Sequence, residues 1–211
     1  MIRDFLELIN KKRAENYNNP NSISQKYDTF LESKGIYHSS NSARFKKSIQ
    51  GRRDLCDGIL ELYQNAVLDN ERIMLLEDLR TIGYDTDSLV ELILDPFTSD
   101  KRPGNLWEYA DLLYSIRNFR YFNQYLSLIS DESLGADRQM LVLLVGKSKN
   151  DAVIPILKQL LNDPTVYGHA LEALTNYEGV EICQVMRQNL SADKEWIRAT
   201  AKSYLSQRGI M

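Results

Sequence analysis

The tripeptide Gly146-Lys147-Ser148, inside LLVGKSKNDAVIPIL (143–157), has the residue types of a phosphate-binding loop. Such a loop needs a second glycine five positions earlier, so that successive backbone N–H groups surround the phosphates, and it follows a strand. Position 141 is a leucine within the apolar run MLVLLV (140–145), and a helix is expected there. The expected role of Gly146 is therefore to end a helix in a left-handed conformation, with Lys147 beside the negative helix terminus. General base chemistry fares no better. His38 is expected in a loop and His169 on a helix, and neither has a cysteine, serine or carboxylate at a motif spacing. His-Glu-x-x-His, Cys-x-x-Cys and Gly-x-Ser-x-Gly are all missing, so metal and acyl-transfer chemistry lack a local signature. Cys56 and Cys183 lie 127 positions apart and are expected to be reduced core residues. No catalytic, cofactor-binding or metal-ligating residue is assigned.

Two surface features remain. Arg44, Lys46, Lys47, Arg52 and Arg53 form a basic cluster in ARFKKSIQGRRD, expected to be a solvated helix face, with a phosphate or nucleic-acid contact and an acidic protein partner as the alternatives. Trp107, Tyr109, Tyr114, Phe119, Tyr121, Phe122 and Tyr125 place seven of the chain's twenty aromatics within nineteen residues. Part of this cluster is expected to be buried under the 97–105 loop, and part is expected to reach the surface, where aromatics are over-represented in binding hot spots.

The elements that must carry these residues are helical. Glycine (10) and proline (5) are scarce in the 211 residues, and apolar residues recur at helical rather than strand spacing. Ile2, Phe5, Leu6 and Ile9 make a first stripe. Ile23, Tyr27, Phe30 and Leu31 make a second, entered through a capping box at Ser22-x-x-Gln25. Phe45 to Val67 reads as one long third helix. Net charge is −3, from 26 basic and 29 acidic residues, too balanced to announce a nucleic-acid binder. The start of the chain lacks an uninterrupted apolar core, and no apolar run approaches the roughly 20 residues that span a bilayer. A cytoplasmic protein is expected.

The second half repeats. Segments starting at Tyr109, Arg138, Tyr167 and Trp196 follow one another at a 29-residue step. In the first three, apolar pairs recur at Leu112/Leu113, Leu141/Val142 and Ala170/Leu171, followed by Ile116, Val145 and Leu174. A second apolar-periodic segment follows each, at 120–130, 151–161 and 179–190. ERIMLLEDLRTIG and DTDSLVELILDP make one earlier hairpin. A helix pair at a short fixed period is the pattern of a solenoid.

The stretch 144–179 resembles the short HEAT-like repeats first described in phycobilisome lyases. Asp151, Pro155, Leu157, Leu160, Leu161, Asp163 and Pro164 match the family's second helix and its Asp-Pro corner, with one extra residue before the proline. Ile197, Arg198 and Ala201 match its Val-Arg-x-x-Ala helix, whereas His169 stands where the family often has arginine. The match is best over 136–209, weaker over 69–131 and absent over 1–68. It implies an all-α, right-handed α-solenoid of about four HEAT-like hairpins (69–211), with an irregular helical N-terminal section (1–68) packed on it. Pro155 is expected to forfeit one N–H bond near the start of its helix and to bend the chain.

Such arrays host scaffolds, inhibitors and a few enzymes, so the resemblance carries fold more than function. The second helix of each hairpin is expected to line the concave face. That places Gln124, Pro155 and Gln184 in one row and Ser127, Lys158 and Arg187 in the next, flanked by Gln159 and Gln188. The function expected is non-catalytic protein binding, on that face or on a ridge presenting Trp107, Tyr114 and Tyr121, with no cofactor, no membrane and no small-molecule substrate. The alternatives are a toxin-neutralising immunity protein and an alkylated-base DNA glycosylase of the HEAT-like type or a lyase-type role.

Overall fold

The structure, a computed structural model, describes residues 19, 21–37 and 42–210. The expected first stripe (Ile2 to Ile9) and His38 lie outside these residues. All regular elements described are helical. Contacts divide the chain into two compact units, 1–95 and 96–211. Residues 69–95, expected with the repeats, therefore fall within the first unit.

In the first unit, α1 (Ser24–Ser33), α2 (Ser42–Ile49), α3 (Cys56–Asn65) and α4 (Asp69–Ile82) bury Tyr27, Leu31, Ile49, Ile59, Leu75 and Leu79. The expected long helix from Phe45 is broken. Gly51 takes φ +74, and a short 3-10 turn (Arg53–Leu55) re-aims the chain before α3. Glycine takes that conformation more readily than a residue with a Cβ, which favours a break at position 51. The expected capping box is also replaced. Ile23 is the N-cap of α1 and makes no side-chain cap. The buried carboxylate of Glu71 instead accepts from Ile23 N–H at 3.2 Å and from the Ser22 and Ser24 hydroxyls at 2.5 and 3.0 Å. A carboxylate at a helix N-terminus satisfies orphan donors and meets the positive dipole end. Two turns along α4, buried Asp78 accepts from the Tyr27 hydroxyl, so one helix holds α1 through two carboxylates. Gly83 ends α4 at φ +86, and α5 (Thr86–Thr98) runs on through Pro96, two residues beyond the expected segment.

The second unit contains α6 (Leu106–Ile116), α7 (Phe122–Ser130), α8 (Gln139–Gly146), α9 (Ile154–Leu160), α10 (Tyr167–Leu174), α11 (Val180–Gln188) and α12 (Glu195–Gln207). These match the repeating segments read from the sequence. The first helices pack in series, α6 on α8, α8 on α10 and α10 on α12, while α7, α9 and α11 each pack on the first helix that follows. Of the nine apolar positions expected to face the core, eight are buried; Ile116 is half-buried.

Pro155 occupies the first turn of α9. The first four N–H groups of a helix have no intrahelical acceptor, so the proline forfeits no helix bond there, contrary to expectation. Gly146 also differs from expectation, since it is the last residue of α8 without a positive φ; Lys149 takes the left-handed conformation, at φ +54. What Gly146 provides is space: a Cβ there would lie 2.6 Å from the Ala173 Cβ and 2.9 Å from its Cα. Gly168 serves the next interface, with the Trp196 ring where its Cβ would be.

Candidate protein-binding surfaces

The corners between successive helices carry polar side chains that hydrogen-bond within the protein. Arg138 is buried, donating to Gly135 O at 3.2 Å and Ile129 O at 2.7 Å, and it is ion-paired with Asp163. The Asp163 carboxyl lies below its ordinary range: burial pushes it up, but the Thr165 hydroxyl and N–H and the Arg138 charge outweigh that. One step later, the Tyr167 hydroxyl reaches buried Asn189 in the same manner. Arg138 and Tyr167 are the same repeat position, so different side chains make the same long reach into the next corner. At the turns opening the second helices, Asn118 accepts from Arg120 N–H and Asn150 from Ala152 N–H, each at 3.1 Å.

Of the expected second-helix residues, Gln124, Ser127, Gln159, Gln184, Arg187 and Gln188 are exposed, as is Pro155. Lys158 is part-buried and less available than expected. Its Nζ donates to Glu181 on α11 at 2.7 Å, tying successive second helices together.

The aromatic cluster divides. Tyr109 and Tyr125 are fully buried, the latter donating to Asn118 O at 2.9 Å. Trp107 is 40% exposed, and Tyr114, Phe119, Tyr121 and Phe122 are half-buried. The Arg117 guanidinium stands over the Tyr114 ring at 5.2 Å from a left-handed backbone (φ +56) that closes α6. Five of the seven aromatics thus keep a face towards solvent.

The residues weighed for chemistry have structural partners. Lys147 Nζ donates to Asn176 at 3.0 Å, Gly146 is buried, and the GKS stretch is a helix-ending turn. His169 sits half-buried with its ring 6.0 Å from that of Trp196, and burial lowers its basicity. In the basic cluster, Lys46 lies 3.6 Å from Glu77 and Arg52 pairs with Asp54 at 2.8 Å. Cys56 and Cys183 are unbridged and part-buried. Among the described residues, no group of three or more His, Cys, Asp or Glu is placed to hold a metal ion, and no helix is long and apolar enough to cross a membrane.

Sequence reading missed two groups, buried Arg138 and the neighbouring Glu132. The available signal for Arg138 was a charged residue at a repeat position otherwise occupied by Tyr and Trp. No family model, curated protein or solved structure matches the chain.

Proposed function

We propose that this protein is a non-catalytic, protein-binding adaptor or inhibitor whose second unit is a right-handed α-solenoid of HEAT-like hairpins, acting in the cytoplasm. The serial packing of α6, α8, α10 and α12 supports the solenoid, since a repeat array buries each hairpin only against its neighbours. The observation that carries the binding role is the partly exposed set Trp107, Tyr114 and Tyr121, with Arg117 stacked on Tyr114. Trp, Tyr and Arg are the side chains over-represented at interface hot spots. The exposed amides of Gln124, Gln159, Gln184 and Gln188 add a surface able to read a partner by hydrogen bonds.

Residues 96–211 carry 13 basic and 13 acidic side chains, a balance that supports neither a basic DNA-reading face nor acidic steering onto a toxin by this unit. Native affinity capture with mass spectrometry should return one stoichiometric partner. Trp107→Ala with Tyr114→Ala should weaken that complex at least about tenfold. Turnover of a substrate at a mutation-sensitive pocket would overturn the reading.

A further inference from the structure

A cleft of about 580 Å³ opens between α7 and α9, above the Arg138–Asp163 pair. Ile156, Leu160 and Pro164 give it an apolar wall, while Ser130, Glu132, Gln159 and Asn162 supply its polar atoms. Several donors are spent within the protein, whereas the exposed Gln159 amide keeps its N–H groups. The Ser130 hydroxyl donates to Leu126 O at 2.9 Å, and the Thr165 hydroxyl to Asp163 at 2.7 Å. Asn162 Nδ2 donates to Gln159 O at 3.2 Å, and Arg138 is committed to two carbonyls and Asp163. The acceptor capacity left over comprises Asn162 Oδ1, the Ser130 oxygen and the Glu132 carboxylate.

The charges point the same way. Arg138 and Asp163 cancel in their ion pair. Glu132 is exposed and makes no ion pair among the described residues, so it is the one uncompensated charge in the lining. A cleft with several free acceptors, one net negative charge and an apolar wall fits a cationic, donor-rich head on an aliphatic stem. A guanidinium has five donors in a planar fork and forms bidentate pairs with carboxylate.

We propose that this cleft receives an arginine side chain of a protein partner, with Glu132 pairing the guanidinium, Asn162 and Ser130 accepting from it, and Ile156 and Pro164 covering its stem. The proposal takes only the source of the arginine from the protein-binding reading; the cleft chemistry stands apart from it.

The test is titration of the full-length, isotopically labelled protein with N-acetyl-arginine methylamide, read as amide chemical-shift changes. Parallel arms use the neutral citrulline analogue, the lysine analogue and spermidine. The expected result is a set of saturable shifts confined to 130–138 and 156–165, with millimolar affinity. The citrulline arm should be silent, and the lysine and spermidine arms weaker than arginine. Glu132→Gln is isosteric on an exposed turn and should weaken arginine binding about five- to tenfold, while leaving the spectrum otherwise unchanged. Shifts that are equal for citrulline, unaltered by Glu132→Gln or located elsewhere would overturn the assignment. Spermidine outcompeting arginine would overturn the arginine source. Failure to capture a protein partner, with this titration positive, would sink the adaptor reading alone.

Discussion

Lys147 and Asn176 lie one 29-residue step apart and meet, Nζ donating to Oδ1 at 3.0 Å. Ser148 and Tyr177, the next residues of each repeat, also approach to 3.5 Å between their hydroxyls. Equivalent positions of successive repeats touch when the repeats are related by a short displacement, as stacking requires. The period read as apolar spacing is therefore also a contact distance in the folded chain.

Breaking the buried corner pair should be costly. Asp163→Ala leaves the Arg138 guanidinium buried beside two carbonyls with its countercharge gone. The expected loss is about 3 kcal/mol or more, because an uncompensated buried charge is worse than no charge. Urea unfolding of Asp163→Ala measures it, and the double variant with Arg138→Met should recover part of the loss. Because the Asp163 carboxyl is lowered in the fold, its contribution is present above the unfolded carboxyl range and is lost as pH falls below about 4.

Gly146→Ala sets two effects against each other. Alanine improves a helix interior by up to about 1 kcal/mol, yet its methyl would lie 2.9 Å from the Ala173 Cα, which cannot move aside as a side chain can. Overpacking of this kind costs about 1–3 kcal/mol, so net destabilisation is expected, seen as a lowered thermal midpoint. Enlarging the gap with Ala173→Gly in the same chain should restore part of it.

Helix positions and the buried stripes of the second unit were legible because each repeat confirmed its neighbours' register. Leu112, Leu141 and Leu171 could be placed from spacing alone, and all three are buried. Isolated elements carried less information. The capping role of Glu71 joins residues 48 apart, so no local pattern at Ser22 could announce it. The break at Gly51 was marked only by a lone glycine, which helical runs also tolerate. At the candidate surfaces, the glutamines picked by spacing are exposed, but spacing could not show that Lys158 is held by Glu181, a contact between successive second helices. Nor could it show that Glu132 stands unpaired above a pair that cancels, since that depends on where Asp163 closes.

The aromatic ridge should be separable from the fold. Trp107 is 40% exposed, so Trp107→Ala should lose the packing of its covered part, about 1–3 kcal/mol of unfolding free energy. Tyr125→Phe removes a buried hydroxyl that donates to Asn118 O and should cost about 1 kcal/mol without affecting the surface. Both variants should therefore lose stability, while partner capture should fall for Trp107→Ala and stay unchanged for Tyr125→Phe.

The Tyr27–Asp78 contact should give the first unit a pH-dependent weakness. Burial raises the Asp78 carboxyl to about 6 from the ordinary 3.8; the Tyr27 hydrogen bond and Lys46 pull it down, and Glu77 pushes it up. With the folded value above the unfolded one, the favourable contribution is complete below about pH 4. It is lost as pH rises to about 6 and stays lost above. Two pH units of displacement correspond to about 3 kcal/mol. Asp78→Asn keeps an acceptor for Tyr27 and removes the titration. Any constant offset from the amide's own donors is the same at every pH. The difference in unfolding free energy between Asp78→Asn and the wild-type protein should therefore shift by about 2 kcal/mol in favour of the variant between pH 4 and pH 7. A difference that stays flat across this range would show that Asp78 ionises in the folded protein as it does in the unfolded chain.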